Sequence, residues 1–211
     1  MSVPTRAEAC ALLDSLHPGE RFLRHSAAVA EIASFLAQRI TSRGIEVDRR
    51  LVETAAVLHD IDKLLPKGDP LRSLGHGAAG ARWLSERGHA ELSRAVANHP
   101  VSRLSDEDHY RRWSSFATRE ERIVAYADKR AAQRLQPMAA RFARWERRHP
   151  EYGERLLLAR RRAERLERDV CGAAGIAPED VERAPWVRET LRRVRGSTAP
   201  ADSQAMEARP S

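Results

Sequence analysis

No stretch of the chain approaches the roughly 20 uninterrupted apolar residues of a membrane span. The first residues, MSVPTRAEAC, also lack the basic-then-apolar order of a signal peptide, so a cytoplasmic protein is expected. Cysteine is scarce: Cys10 and Cys171 lie far apart, and a chain able to bury a core has no need of a disulfide framework. Both are expected to be buried, inert thiols, and no paired cysteine spacing exists for a structural zinc finger. Lysine is nearly as scarce, since only Lys63, Lys67 and Lys129 interrupt an otherwise all-arginine set of 37 basic residues. The net charge of +7 would suit a nucleic-acid partner, but aromatic residues make up only 5% and do not interleave with the basic ones. The charge is better matched to steering a small anionic substrate.

Alternating apolar and polar runs are also missing, while apolar residues recur at steps of three and four through most of the sequence. The reading is all-α. A short helix is expected over about Thr5 to Leu16, ended by His17-Pro18-Gly19, and a long one over Glu20 to Thr41 with Gly44 beyond it. A third starts at Asp48 as N-cap and ends near Lys63. Helices follow over about His76 to Arg87 and Ala90 to Asn98. The polar stretch from Val101 to Ala117 reads as an irregular loop that could cover a site. Thr118 and Glu121 form a capping-box pair that opens a helix through Asp128. Beyond Pro137 come two long arginine-rich amphipathic helices, to about Arg148 and from Glu151 to Ala174, with Arg160, Arg161, Arg162, Arg165 and Arg168 expected on a solvated face. A last helix over Ala184 to Val194, anchored by Trp186, precedes a small and polar tail expected to be disordered.

The chemistry lies in six scattered positions. His59-Asp60 ends an apolar helix, and two adjacent residues there both point inward only where the helix stops or distorts. His25 continues the face of Val29, Ile32 and Leu36; His76 opens one helix and His99 closes another; Asp128 continues the face of Val124. A carboxylate on an apolar face demands a cation or several donors, because its uncompensated burial costs several kcal/mol. Imidazoles and carboxylates together suit one or two divalent transition-metal ions, whether Fe, Mn, Zn, Ni or Co.

These residues and their neighbours, Arg21-Phe22-x-x-His25-Ser26, Leu58-His59-Asp60-Ile61-Asp62-Lys63, His76-Gly77-x-x-Gly80-Ala81 and Tyr126-Ala127-Asp128-Lys129-Arg130, resemble the HD superfamily of metal-dependent phosphohydrolases. The likeness is to its HDIG-type, six-ligand branch, near the bacterial dinucleoside tetraphosphate hydrolases of the YqeK type. It implies an all-α helical bundle over residues 20–135; periodicity and composition place a helix and turn before it (1–19) and a helical extension (136–195) and a tail (196–211) after it. It further implies that His25, His59, Asp60 and Asp128 bind a first metal. Asp60 then bridges to a second held by His76 and His99, and a bridging water is the nucleophile. The word after the last ligand differs, being Asp128-Lys129-Arg130 where those hydrolases have an Asp-Tyr-Ile-Glu-Pro type.

On this reading Asp60, Lys63 and Asp62 are the catalytic candidates: Lys63 neutralises phosphoryl charge, and Asp62 orients a water or a histidine. Arg21, Arg24, Lys129 and Arg130 flank the ligands as candidate phosphate-binding residues, and His109 is the one remaining histidine placed to reach a site. His17, His89 and His149 are expected to be non-ligands. The same ligand set also serves mixed-valent di-iron oxygenases, and a non-catalytic nucleotide- or RNA-binding module is a third alternative. The partner expected is a small phosphorylated molecule, a nucleotide, with no membrane; the C-terminal helices either cover the core or pair two subunits as a homodimer.

Overall fold

The computed structural model describes residues 3–183, and among them the chain forms eleven α-helices and no strand, only an isolated bridge between Ala131 and Leu135. No described helix is long and apolar enough to cross a membrane. Helix α1 (Arg6–Asp14) starts at a Thr5–Glu8 capping box, and α2 (Glu20–Thr41) runs over the expected residues. Its buried face, including Val29, Ile32 and Leu36, packs against α3 (Arg49–Leu58), α8 (Arg119–Arg130) and α10 (Gly153–Ala174). Asp48 caps α3, its side chain accepting from the Leu51 amide at 2.9 Å. That helix ends at Leu58, earlier than the expected Lys63: His59 is its C-cap, Asp60 turns to φ −101°, and a 3-10 turn spans Ile61–Leu64. The early stop lets both His59 and Asp60 face the interior.

After a second 3-10 turn, α4 (Ala78–Glu86) and α5 (Ser93–Asn98) form a hairpin. Gly77 makes the close approach between them. It sits at φ +82°, and an added Cβ would lie 2.7 Å from Pro100 Cγ. Glycine avoids both the strained backbone and the clash.

The segment expected to be an irregular loop is instead two helices, α6 (Val101–Ser105) and α7 (Glu107–Phe116). Its few apolar groups are anchored by tertiary contacts that composition does not display. Trp113 is buried and donates to Glu121 Oε2 at 3.0 Å. Arg162 lies 4.2 Å over the Tyr110 ring and donates to the Leu104 carbonyl at 2.8 Å. Arg162 thereby departs from the expected solvated arginine face, whereas Arg161, Arg165 and Arg168 are exposed. Helix α8 opens on the Thr118–Glu121 capping box and is buried from Ile123 to Arg130. Helices α9 (Met138–Arg148) and α10 cover the bundle, and a short α11 (Pro178–Arg183) follows. Cys171 is buried and Cys10 half-buried, and burial pushes both thiols up from the usual range. The expected helix from Ala184 and the tail lie outside the described residues.

Candidate metal centre

Five elements deliver six side chains to one point. His25 comes from the second turn of α2, His59 and Asp60 from the end of α3, His76 from the turn before α4, His99 from the end of α5 and Asp128 from the last turn of α8. Asp60 is the hub. Its Oδ2 lies 3.4 Å from His25 Nε2 and 3.5 Å from His59 Nε2, and its Oδ1 lies 3.3 Å from Nε2 of both His76 and His99. Asp128 Oδ1 closes the first group at 3.4 Å from His25 Nε2 and 3.8 Å from His59 Nε2.

Each imidazole is held by its other nitrogen. Nδ1 of His25 is 2.6 Å from the Ala132 carbonyl, that of His59 2.8 Å from Ala56 O, and that of His99 2.6 Å from Val96 O. A carbonyl only accepts, so Nδ1 carries the proton, and the neutral ring turns its Nε2 lone pair inward. His76 Nδ1 meets Asp62 Oδ2 at 2.9 Å, so Asp62 orients a histidine.

The inward atoms crowd one another, with Nε2 of His25 and His59 at 3.1 Å and of His76 and His99 at 3.3 Å. Two lone pairs at such distances repel unless a positive charge lies between them. Asp60 Oδ1 is moreover buried without a hydrogen bond. Donor atoms bound to one ion at roughly 2.1 Å stand about 3.0–3.4 Å apart in octahedral or tetrahedral geometry, and most of the observed separations fall there. The donor set therefore fits a metal, in the groups His25, His59, Asp128 and His59, Asp60, His99.

Electrostatics lead to the same demand for positive charge. Burial alone would raise both carboxyls, yet His59, His25 and His99 around Asp60, and Lys129, His25, His59 and Arg141 around Asp128, hold them well below the usual range. Burial alone would lower His25, but hydrogen bonds to Asp128 and Asp60 lift it to about 9. Buried His99 is pushed down to about 4.

Around this cluster, Lys63 is half exposed with Nζ 2.7 Å from Asp60 Oδ2. It stands at the mouth of a cleft of about 490 Å³ lined also by Arg21, Phe22, His25, Asp60, Gln133, Arg141 and Trp145. The other expected phosphate-binding residues are elsewhere. Lys129 is buried and donates to Asp128 Oδ2 at 2.8 Å and to the His99 carbonyl. Arg130 is buried between Tyr126 Oη at 2.7 Å and Glu167 at 2.8 Å, tying α8 to α10. Both are tied to protein partners, and neither lines the cleft. Arg24 pairs with Glu20 on the surface. His109 sits on α7 and does not line the cleft, because the segment carrying it is a helix packed on α6.

Arg141 is the residue that sequence reasoning missed. Its Nη2 is 3.6 Å from Asp128 Oδ1 and its side chain is 14% exposed. The signal was available, since Arg141, Arg144, Trp145 and Arg148 stand at helical spacing on one face of α9. What could not be foreseen was the element on which that face packs.

Outside the chain itself, an uncharacterized protein of Methanocaldococcus jannaschii is 32% identical over 120 residues. That match covers 52% of this chain and 65% of the relative, so the chain spans just under two thirds of that relative's length. No solved structure matches. The family model described as HD domain matches residues 22–133, the stretch that holds all six clustered side chains, and the chain therefore belongs to the HD domain family.

Proposed function

We propose that this protein is a metal-dependent hydrolase of a phosphoester or phosphoanhydride, with a nucleotide as substrate. HD domain proteins are typically metal-dependent hydrolases. The observation that carries the reading is the division of Asp60, one oxygen toward each pair of histidines. His25, His59, Asp60 and Asp128 would hold one divalent ion, and Asp60, His76 and His99 a second, as in the six-ligand branch of the family. The catalytic unit is taken as residues 20–135, with 136–195 as an extension over it. Bound there, such ions lower the pKa of water and neutralise phosphoryl oxygens.

The chain's own residues set the geometry. Carbonyl and carboxylate contacts to the four Nδ1 atoms fix the ring orientations. Lys63 reaches from Asp60 toward the cleft, where its ammonium meets charge developing on the phosphoryl group. Arg21 and Arg141 add positive charge to the lining of the cleft. In the reaction one P–O bond to the leaving group breaks and one P–O bond to the oxygen of water forms; the attacking water releases a proton to solvent, and the leaving oxygen takes one from solvent.

The test is elemental analysis of the purified and reconstituted chain together with a screen of nucleoside mono-, di- and triphosphates and bis-p-nitrophenyl phosphate, run with and without oxygen. One to two ions per chain and oxygen-independent hydrolysis are expected. No bound ion after reconstitution, or turnover requiring iron and oxygen, would overturn the proposal.

A further inference from the structure

The cleft over the cluster has one wall that the family match does not include. Residues 22–133 supply Phe22, His25, Asp60, Lys63, Ala132 and Gln133, but Arg141, Arg144, Trp145 and Arg148 come from α9, beyond the matched stretch. Three arginines on one helix face repel one another, and among the described residues Arg144 and Arg148 have no acidic partner while Arg141 meets Asp128. Among the described residues, Asp60 is the sole acidic one lining the cleft, against five cations: Arg21, Lys63, Arg141, Arg144 and Arg148. Asp128 lies just beneath and meets Arg141.

Arg141 marks the inner end of this row. Its guanidinium lies 4.7 Å over the Trp145 ring, and its Nε is buried without a hydrogen-bond partner. Burial lowers its pKa, Asp128 and Asp60 oppose that, and Arg144 and Arg148 add repulsion. An anion beside the row would relieve the repulsion and supply the absent acceptor. Arg148 stands seven residues further along the helix, about 10 Å at 1.5 Å per residue. That span is too long for one phosphate group and suits a chain of them.

We propose that Arg141, Arg144 and Arg148, with Arg21 of the same cleft, form a subsite for the phosphates beyond the one being cut, so that the substrate carries at least two anhydride-linked phosphates. The substrate enters with its scissile group at the cluster and its further phosphates along α9. Trp145, under the Arg141 guanidinium, lines the same wall. The assignment deepens the hydrolase reading and rests on it for the identity of the scissile group, but phosphate-chain binding is measurable without turnover.

The experiment is calorimetric titration of the full chain, loaded with manganese and again after chelation, with inorganic triphosphate and with orthophosphate. Arg144→Gln and Arg148→Gln alter partly or fully exposed side chains. Each should weaken triphosphate binding about tenfold, and the pair together about a hundredfold, as expected for charged hydrogen bonds. Any loss for orthophosphate should be at least tenfold smaller. Arg161→Gln makes the same charge change on the exposed side of α10 and should leave triphosphate binding unaltered. Equal losses for the two probes, equal losses in Arg161→Gln, or no loss would overturn the subsite. So would a short single-stranded RNA that binds more tightly than triphosphate and loses affinity in the same variants. Triphosphate binding with these losses but no hydrolysis of any phosphate compound would sink the hydrolase reading and leave the subsite standing. Hydrolysis of phosphoesters with unchanged triphosphate affinity in the variants would do the reverse.

Discussion

Asp62 accepts a hydrogen bond from Nδ1 of His76 at 2.9 Å, across a separation of 14 residues. The contact joins the 3-10 turn that follows His59-Asp60 to the turn that opens α4, so the two halves of the cluster are set by one carboxylate. Asp62→Ala frees the His76 ring to rotate and removes the group that polarises it. Metal affinity at the His76 and His99 half should fall about 10- to 100-fold, with the other half little changed. A competitive metal titration resolving two binding events checks this; a uniform loss at both would show that Asp62 acts only on the fold.

Asp60→Ala removes the oxygen shared by both groups. Metal binding should be lost and hydrolysis should drop to background. In the metal-free variant the His25 pKa should move down from about 9, because one of the two carboxylates that raise it is gone. Titration of the histidine ring protons by NMR measures that shift directly, and it is independent of turnover. An unmoved His25 would mean that Asp128 alone holds it.

The metal-free protein should be most stable near pH 6.5, the ordinary histidine value. His25, raised to about 9 in the fold, binds its proton more tightly than the unfolded chain does. Its contribution is full below about 6.5 and is lost as pH rises toward 9. His99, lowered to about 4, works in the other direction: the unfolded chain takes up the proton first, so stability is lost as pH falls from 6.5 toward 4. Asp60 and Asp128, held low, add to the acid loss below about 4. Melting temperatures from pH 4 to 9.5 should trace a dome. Metal should abolish the alkaline decline, since ligation requires His25 without its proton.

Gly77→Ala should destabilise the chain by about 2 kcal/mol or more, because the new Cβ meets Pro100 Cγ at 2.7 Å at a backbone φ of +82°. Gly77 follows His76 and Pro100 follows His99, so relief of the clash must spread the two ligands apart. A lower midpoint in urea together with weaker binding of the second metal is the expected pair of results.

Lys129→Met should cost about 3–5 kcal/mol by leaving Asp128 buried against one fewer positive charge. Added metal should restore part of the loss by supplying a cation at Asp128. If the variant instead kept full stability and lost only substrate affinity, the buried ion pair would not be its role.

Much of the helical skeleton was legible locally. Asp48 and the Thr5–Glu8 and Thr118–Glu121 boxes cap helices where their spacing places them, because capping is settled within three residues. The positions of His25, His59-Asp60, His76, His99 and Asp128 at helix ends and on apolar faces likewise pointed to a shared interior point. The stretch over residues 101–117 was misread for the opposite reason. Its helices are held by Arg162 on Leu104 and by Glu121 on Trp113, partners 58 and 8 residues away.

By itself the sequence determined the all-α class, most helix starts and the six residues of the cluster, since periodicity, caps and side-chain chemistry are properties of neighbouring positions. Tertiary structure alone decided what each charge near the cluster does. Lys129 and Arg130, beside Asp128 in the chain, turn into buried ion pairs. Arg141, remote from most of the ligands in sequence, reaches Asp128. The physical reason is that burial and partner distance set whether a cation is a tether or a free donor, and both depend on which helix lies across from it.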